Sequence, residues 1–355
     1  MQSIPANGYD IVFNADGYSA LSDLISKNAY SRIFVLTDSN SNAFCIGHFL
    51  GRVESTIEIE ILEIEPGEEN KSIDTCVSLW NVLTEYGADR KCLIVNLGGG
   101  VVTDLGGFVA STYKRGVDFI HVPTTLLAMV DASVGGKNGV DLGSLKNQVG
   151  TITTPQLLLV DTHFLTTLPQ DQMRSGLAEM LKHGLIYDRP YWETFLNLGQ
   201  LDFADFDALV YRSIEIKNDI VSQDPTEKGI RKALNFGHTL GHAIESRFLE
   251  DASKNTLLHG EAIAAGMVLE AYISMEKNLI SEPDYDQIKN TMAEIYGRLE
   301  FSEDDLSEIL GLLRHDKKNE YGNVLFALLD GIGGIKIDQL VENDLIFKAF
   351  ASYQS

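Results

Sequence analysis

Apolar residues arrive in short bursts along the first half of the chain. RIFVLTDS (32–39), IEIEILEI (57–64), KCLIVNLGGG (91–100), DFIHVP (118–123) and QLLLVD (156–161) alternate with stretches whose apolar positions recur at helical spacing. Such Val/Ile/Leu-rich runs suit buried parallel strands, so the pattern predicts an α/β domain built on a parallel sheet. Near residue 170 the period changes. QMRSGLAEMLKHGLI, ALVYRSIEIKNDIV and AEIYGRL all carry helical periodicity, and the second half is expected to be all-α. The predicted organisation is an α/β domain over 1–169 followed by an all-α domain over 170–355, with the active site between them.

Composition narrows this picture. A chain of 355 residues with 44% hydrophobic and 22% charged residues is globular and long for one core, which fits two domains. A net charge of -23 argues against nonspecific nucleic-acid binding, so any anionic substrate must be held by local cations. Cys45, Cys76 and Cys92 form no CxxC pair and are odd in number, which fits a reducing compartment better than a disulfide framework. The start, MQSIPANGYDIVFN, lacks a basic segment followed by an apolar one, and no run of about 18 apolar residues occurs. The expectation is a cytoplasmic protein with no membrane partner.

Two glycine-rich segments carry candidate binding chemistry. In IVNLGGGVVTDLGGFVAS a strand pattern runs through Gly98, Gly99 and Gly100 into a helix pattern from Val101. Bare backbone followed by a helix N-terminus makes a phosphate cradle, although a glycine triplet serves equally well as a tight turn. The spacing is neither GxGxxG nor GxxxxGK[ST], which weighs against a phosphate-loop nucleotidase. Next, VPTTLLAMVDASVGGKNGVDLGSLKNQVG gathers Asp131, Lys137, Asn138, Asp141, Lys146 and Asn147 behind an apolar approach. It reads either as a solvated loop or as a ligand loop.

In LNFGHTLGHAIES (234–246), a helix would place Asn235, His238, His242 and Glu245 within an arc of about 80°. Leu240, Ile244 and Phe248 form the apolar stripe beside it. His259 and Glu261 follow in LHGEAIAAGM, and Glu179, Lys182 and His183 precede in SGLAEMLKHGLI. From the residues alone, metal ligation, acid–base catalysis and satisfied core histidines all remain open.

Taken in order, PGEENK, LGGGVVTDLGGFVASTYKRGV, VPTTLLAMVDASVGGK, LKNQVG, SGLAEMLKHGLI, RKALNFGHTLGHAIE, LHGEAIAAGM and DKKN closely resemble the 3-dehydroquinate synthase family of sugar-phosphate cyclases, from about residue 30 to 330. The resemblance implies a nucleotide-binding α/β domain followed by a helical domain, NAD, one divalent metal (zinc, with cobalt as the alternative) and a homodimer. The implied substrate is 3-deoxy-D-arabino-heptulosonate 7-phosphate. Its conversion to 3-dehydroquinate and phosphate runs through transient oxidation, phosphate elimination, reduction, ring opening and intramolecular aldol closure, a carbon–oxygen lyase reaction.

Positions matching the family's motifs then take roles by resemblance. Glu179, His238 and His259 would be the metal ligands. Asp131, Lys137, Lys182, Lys217 and His242 would serve catalysis, with Lys137 and His242 on the phosphate and the others at reacting hydroxyls. Lys146, Asn147, Asn235 and Lys318 would bind substrate, Arg231 would take its carboxylate, and Arg115 would reach the phosphate across the dimer. Asp38, Asn40, Glu68, Lys71, Gly99, Gly100, Val101, Asp104, Thr124, Thr125, Leu127, Thr167 and Leu168 would contact NAD. His48, His121, His163, His183 and His315 match no such position and are read as structural. Asn138 stands where the family more often has threonine, and DLGSLKN lacks the usual proline and glycine, so the loop departs from the pattern. A sister cyclase acting on another sugar phosphate, a metal-dependent polyol dehydrogenase and a non-enzymatic binding module are the competing readings.

Overall fold

The structure, a computed structural model, describes residues 1–143, 145–200, 203–251, 254, 256–313 and 324–355. It divides into two compact units, Met1–Pro169 and Gln170–Ser355.

The strands of the first unit are β1 (Ile4–Pro5), β2 (Asp10–Phe13), β3 (Ile33–Asp38), β4 (Ile59–Ile64), β5 (Leu93–Gly98), β6 (Asp118–Pro123), β7 (Lys137–Leu142), β8 (Leu145–Ile152) and β9 (Leu157–Val160). Its helices are α1 (Asn14–Asn28), α2 (Ser39–Phe44), α3 (Ile46–Leu50), α4 (Ile73–Glu85) and α5 (Gly100–Thr112). Among the described residues, seven strands form one sheet in the order β1-β2-β9-β6-β5-β3-β4, parallel throughout except for β1. The five apolar runs of the sequence are β3, β4, β5, β6 and β9. Their continuity has a physical cause: Phe34 and Leu36 point to one face, Val35 to the other, and all three are buried. On the first face these residues pack with Leu62, Ile94 and Phe119 against Cys76, Leu79 and Leu83 of α4 and Val102, Leu105 and Phe108 of α5. Edge strand β4 alternates instead, burying Leu62 and Ile64 while Ile61 is exposed.

The segment that read as a loop is a β-hairpin. β7 and β8 pair antiparallel with Lys137 opposite Ile152. Asn138, the departure from the family's usual residue, is buried at its base and donates from Nδ2 to the carbonyls of Gly136 (3.0 Å) and Thr153 (2.8 Å). The substitution therefore pins the hairpin rather than facing a ligand.

The second unit contains α6 (Gln170–Tyr187), α7 (Arg189–Thr194), α8 (Phe203–Gln223), α9 (His238–Glu250), α10 (His259–Glu276), α11 (Glu282–Tyr296), α12 (Glu303–Leu313), β10 (Leu325–Leu329), β11 (Ile335–Leu340) and α13 (Asn343–Gln354). Helix α10 is its centre, packing against α6, α9, α11, α13 and β10 with most of its residues buried. Expecting this half to be all-α requires one correction. LFALL and IKIDQL form an antiparallel ribbon, because a short continuous apolar run, a glycine-rich turn and an alternating run favour a hairpin over a helix. No described helix is long and apolar enough to cross a membrane. Cys45, Cys76 and Cys92 are all buried and free, and burial pushes their thiols up to about 11, 12 and 11.

Candidate active site

The first unit collects its candidate residues beyond the carboxyl ends of its parallel strands, where ligands bind in open α/β sheets. The chain leaves β3 for β4 on one side and continues through β5 on the other, so β3 and β5 flank the crevice at which strand order reverses. Asp38 closes β3 and caps α2, its Oδ1 accepting from the Ser41 backbone N–H at 2.7 Å; Asn40 follows on that helix. Strand β5 ends at Gly98, Gly99 is the N-cap of α5, and Val101 lies in its first turn. A Cβ on Gly98 would stand 2.6 Å from Val102, and one on Gly99 3.1 Å from Thr125. Glycine therefore leaves the helix N-terminus open with no acidic side chain in its first turn, an arrangement suited to a pyrophosphate. Thr124 donates its backbone N–H to Gly98 at 2.9 Å, and Thr125 and Leu127 follow it after β6. Thr167 and Leu168 close the turn after β9. Cys45, which sequence reasoning did not single out, lies within hydrogen-bond reach of Thr124 and Thr167.

Beside this crevice, buried Lys71 is held by Asp104 (2.6 Å) and donates to Asn147 Oδ1 (2.7 Å). Burial alone would lower its pKa, but Asp104 and Glu68 raise it, so the ammonium stays charged. Lys146 reaches Glu68 at 3.9 Å, and the Asn147 backbone N–H donates to Asp141 at 2.6 Å. Asp131 lies in the turn Ala128–Ala132, half-buried, while Lys137 is exposed at the start of β7. Arg115 is exposed in a turn where its φ is +70°, and is not drawn into this cluster.

In the second unit, three helices bring the histidines and Glu179 together. His238 is the first residue of α9 and His259 the first of α10, while Glu179 and Lys182 share the inner face of α6. The helices approach closely because glycine lies between them. A Cβ on Gly260 would be 2.2 Å from the Ser175 carbonyl of α6, and one on Gly266 2.0 Å from the Gly237 carbonyl before α9. Glu179 is fully buried, with Lys182 as its ion-pair partner. His238 Nε2 stands 3.4 Å and His259 Nε2 3.7 Å from the same oxygen, Glu179 Oε1. Each ring's other nitrogen is also occupied: His238 Nδ1 lies 3.2 Å from the Phe236 carbonyl and His259 Nδ1 3.5 Å from Glu245 Oε2. A carbonyl only accepts, so Nδ1 of His238 carries a proton, the arrangement that makes Nε2 available to a cation. Burial would lower the pKa of His259, but Glu179 and Glu245 together raise it to about 9.

This donor set fits a divalent cation. One carboxylate and two imidazole nitrogens converge, with acceptors fixing the rings and positions left for substrate oxygens. His242 is close as well, its ring centroid 5.0 Å from that of His238, and the three histidines offer nitrogens within 4.8 Å of one another.

Asn235 is not on the helix with these histidines. It ends the turn Ile230–Asn235, and Gly237 at φ +79° separates that turn from α9; Asn235 Nδ2 instead donates to Glu227 at 2.9 Å. Arg231 is buried, its Nη1 donating to the Pro225 carbonyl at 2.8 Å, and Lys217 is buried on α8. Lys318 and His315 lie outside the described residues. His183, read as structural, is buried against Ser213 at 2.7 Å. Sequence reading missed Glu227 and Glu270, and marked Glu245 only by its position on the histidine face, without a role.

Comparison with known proteins decides the family. The 3-dehydroquinate synthase N-terminal model matches residues 61–175 and the 3-dehydroquinate synthase C-terminal model residues 176–319. The chain belongs to the 3-dehydroquinate synthase family. The 3-dehydroquinate synthase of Parabacteroides distasonis is 39% identical over 346 residues, 97% of each chain. That of Sulfurovum sp. is 34% identical over 324 residues, 91% of each. Among solved structures, 2-deoxy-scyllo-inosose synthase complexed with carbaglucose-6-phosphate, NAD+ and Co2+ matches with a TM-score of 0.84 at 27% identity, covering 99% of this chain and 100% of that one. The 2-epi-5-epi-valiolone synthase of Streptomyces hygroscopicus, with NAD+ and Zn2+ bound, also has a TM-score of 0.84, at 25% identity, covering 100% of this chain and 99% of that one. The protein is therefore an enzyme of the sugar-phosphate cyclase type, and the synthase family accounts for both its sheet unit and its helical unit.

Proposed function

We propose that the chain converts 3-deoxy-D-arabino-heptulosonate 7-phosphate into 3-dehydroquinate and phosphate, as a lyase dependent on NAD and one divalent metal ion. The observation that carries this is the convergence of Glu179, His238 and His259, in a chain that matches named 3-dehydroquinate synthases over nearly its whole length. When bound, NAD supplies a reversible hydride acceptor and the metal a Lewis acid that eases deprotonation of substrate hydroxyls.

The residues supply binding and orientation. In the first unit, the glycine turn with Asp38, Asn40, Glu68, Lys71, Asp104, Thr124, Thr125, Leu127, Thr167 and Leu168 would hold the dinucleotide. Lys137 and Asn147 would bind phosphate, Lys146 would line their pocket and Asp131 would contact a reacting hydroxyl. In the second unit, Glu179, His238 and His259 would hold the metal, leaving His242 and Asn235 to bind phosphate. Arg231 would take the substrate carboxylate with its planar guanidinium, and Lys182 and Lys217 would contact hydroxyls; Lys318 keeps its proposed phosphate role on sequence grounds. Burial supports these assignments: Lys182, Lys217 and Arg231 carry charge inside the protein, where each costs several kcal/mol unless a partner compensates, on the order of magnitude for buried ions. We further propose a homodimer in which Arg115, exposed on a tight turn, serves the neighbouring subunit's phosphate site.

The test is product identity. The chain with NAD and Zn2+ is incubated with the heptulosonate phosphate or with other sugar phosphates, and products are read by NMR and mass. The account expects 3-dehydroquinate from the heptulosonate phosphate; a carbocycle formed only from another sugar phosphate would reassign it to a sister cyclase.

A further inference from the structure

The two metal-facing imidazoles are held by different kinds of acceptor. His238 Nδ1 faces a neutral backbone carbonyl, Phe236 O, at 3.2 Å. His259 Nδ1 faces a carboxylate, Glu245 Oε2, at 3.5 Å. Glu245 lies on α9 and is buried, whereas His259 opens α10, so this contact crosses between the two helices that carry the histidines. Both Nε2 atoms nonetheless aim at one oxygen of Glu179.

We propose that Glu245 is the positioning residue of the metal centre: it fixes the ring of His259 with Nδ1 protonated and Nε2 presented to the cation, and adds a second negative charge next to the ligand set. The inference rests on the metal reading given above. Its physical basis is that a histidine anchored by a carboxylate is both oriented and made a stronger donor. With Glu179 already paired to Lys182, a divalent cation would sit in a buried site with two excess positive charges; Glu245 lowers the local excess to one. That pairing makes the second carboxylate more valuable to the cation.

The test measures metal affinity of the metal-free protein rather than turnover. Zn2+ dissociation constants come from competition with a chromophoric chelator, and the visible spectrum of the Co2+ form reports ligand geometry. Wild type, Glu245→Gln, Glu245→Ala and His238→Ala are compared, with melting of each metal-free form as the control for folding. The expected result is one metal per wild-type chain, none retained by His238→Ala, and affinity weakened about 10- to 100-fold in Glu245→Ala. Glu245→Gln, which keeps an acceptor without the charge, falls between, and the Co2+ spectrum shifts in Glu245→Ala. A residue that only packs α9 on α10 would lower melting of the metal-free form while leaving affinity and spectrum unchanged. Unchanged affinity in both Glu245 variants, with wild type binding one metal, overturns this inference and leaves the metal site standing. Wild type binding no metal overturns both.

Discussion

His238 Nε2 stands 3.4 Å from Glu179 Oε1, and that carboxylate has no exposed surface. This fully buried carboxylate pairs with Lys182 and also faces two imidazole nitrogens, the donor set proposed above to hold a divalent cation. Chelation is expected to abolish activity and to lower the melting temperature, with Zn2+ or Co2+ restoring both. At a metal concentration a hundred times the dissociation constant, the added stability is about 2.7 kcal/mol. Calorimetry with and without the metal checks it, and identical melting would argue against the site.

Glu270 of α10 caps a helix it does not belong to. Its buried carboxylate accepts from the backbone N–H groups of Gly237 (2.7 Å) and Leu240 (3.1 Å) at the start of α9, whose glycine N-cap has no side chain to do so. Glu270→Ala strands both donors and is expected to cost about 1–3 kcal/mol. Because His238 is the next residue after Gly237, metal affinity should fall with it. Urea unfolding of the metal-free variant measures the first effect, and wild-type stability would contradict the capping role.

Asp305 joins α12 to α9 through Arg247 (3.0 Å) and also pairs with Lys254 (2.8 Å) beyond that helix's end. Burial would raise its pKa, but Lys254 and the Ser302 backbone and hydroxyl outweigh this and hold it down to about 2. A pKa below the unfolded value of 3.8 stabilises the fold above pH 3.8 and loses that contribution as pH falls toward 2. Asp305→Asn should therefore be less stable than wild type at neutral pH, with the gap narrowing through this window. Denaturant midpoints across the acid range check it; a gap independent of pH would be the contrary result.

Lys71 links Asp104 of α5 to Asn147 of the hairpin. Its replacement by methionine leaves Asp104 without its ammonium beside the glycine turn. NAD affinity is expected to fall about tenfold or more, the worth of one charge-assisted hydrogen bond. Titration calorimetry with NAD reads this directly, and unchanged binding would remove Lys71 from the dinucleotide site.

The sheet was legible because strands buried on both faces write themselves as unbroken apolar runs; Phe34, Val35 and Leu36 show why. The hairpin at Lys137–Ile152 was not, since its glycines and lysines carry loop composition and many of its side chains are exposed, leaving no apolar alternation to read. Likewise β10 and β11 follow a long helical stretch and were absorbed into it. The ligand candidates were visible as residues, but only resemblance chose among metal, acid–base and core roles. Glu245 shared the histidine face in the sequence pattern, yet its partner His259 lies on another helix, and no local spacing encodes that contact. Asn235 illustrates the converse: helical phase placed it beside His238, and one glycine at positive φ took it off the helix.

The central claim is that oxidation is transient and the overall reaction redox-neutral. Phosphate released and absorbance of reduced cofactor are followed together, with the heptulosonate phosphate in large excess over NAD. The account predicts many phosphates per NAD, 3-dehydroquinate in equal amount and no accumulating NADH. One NADH per substrate consumed, without phosphate release, would contradict it and make the chain a dehydrogenase.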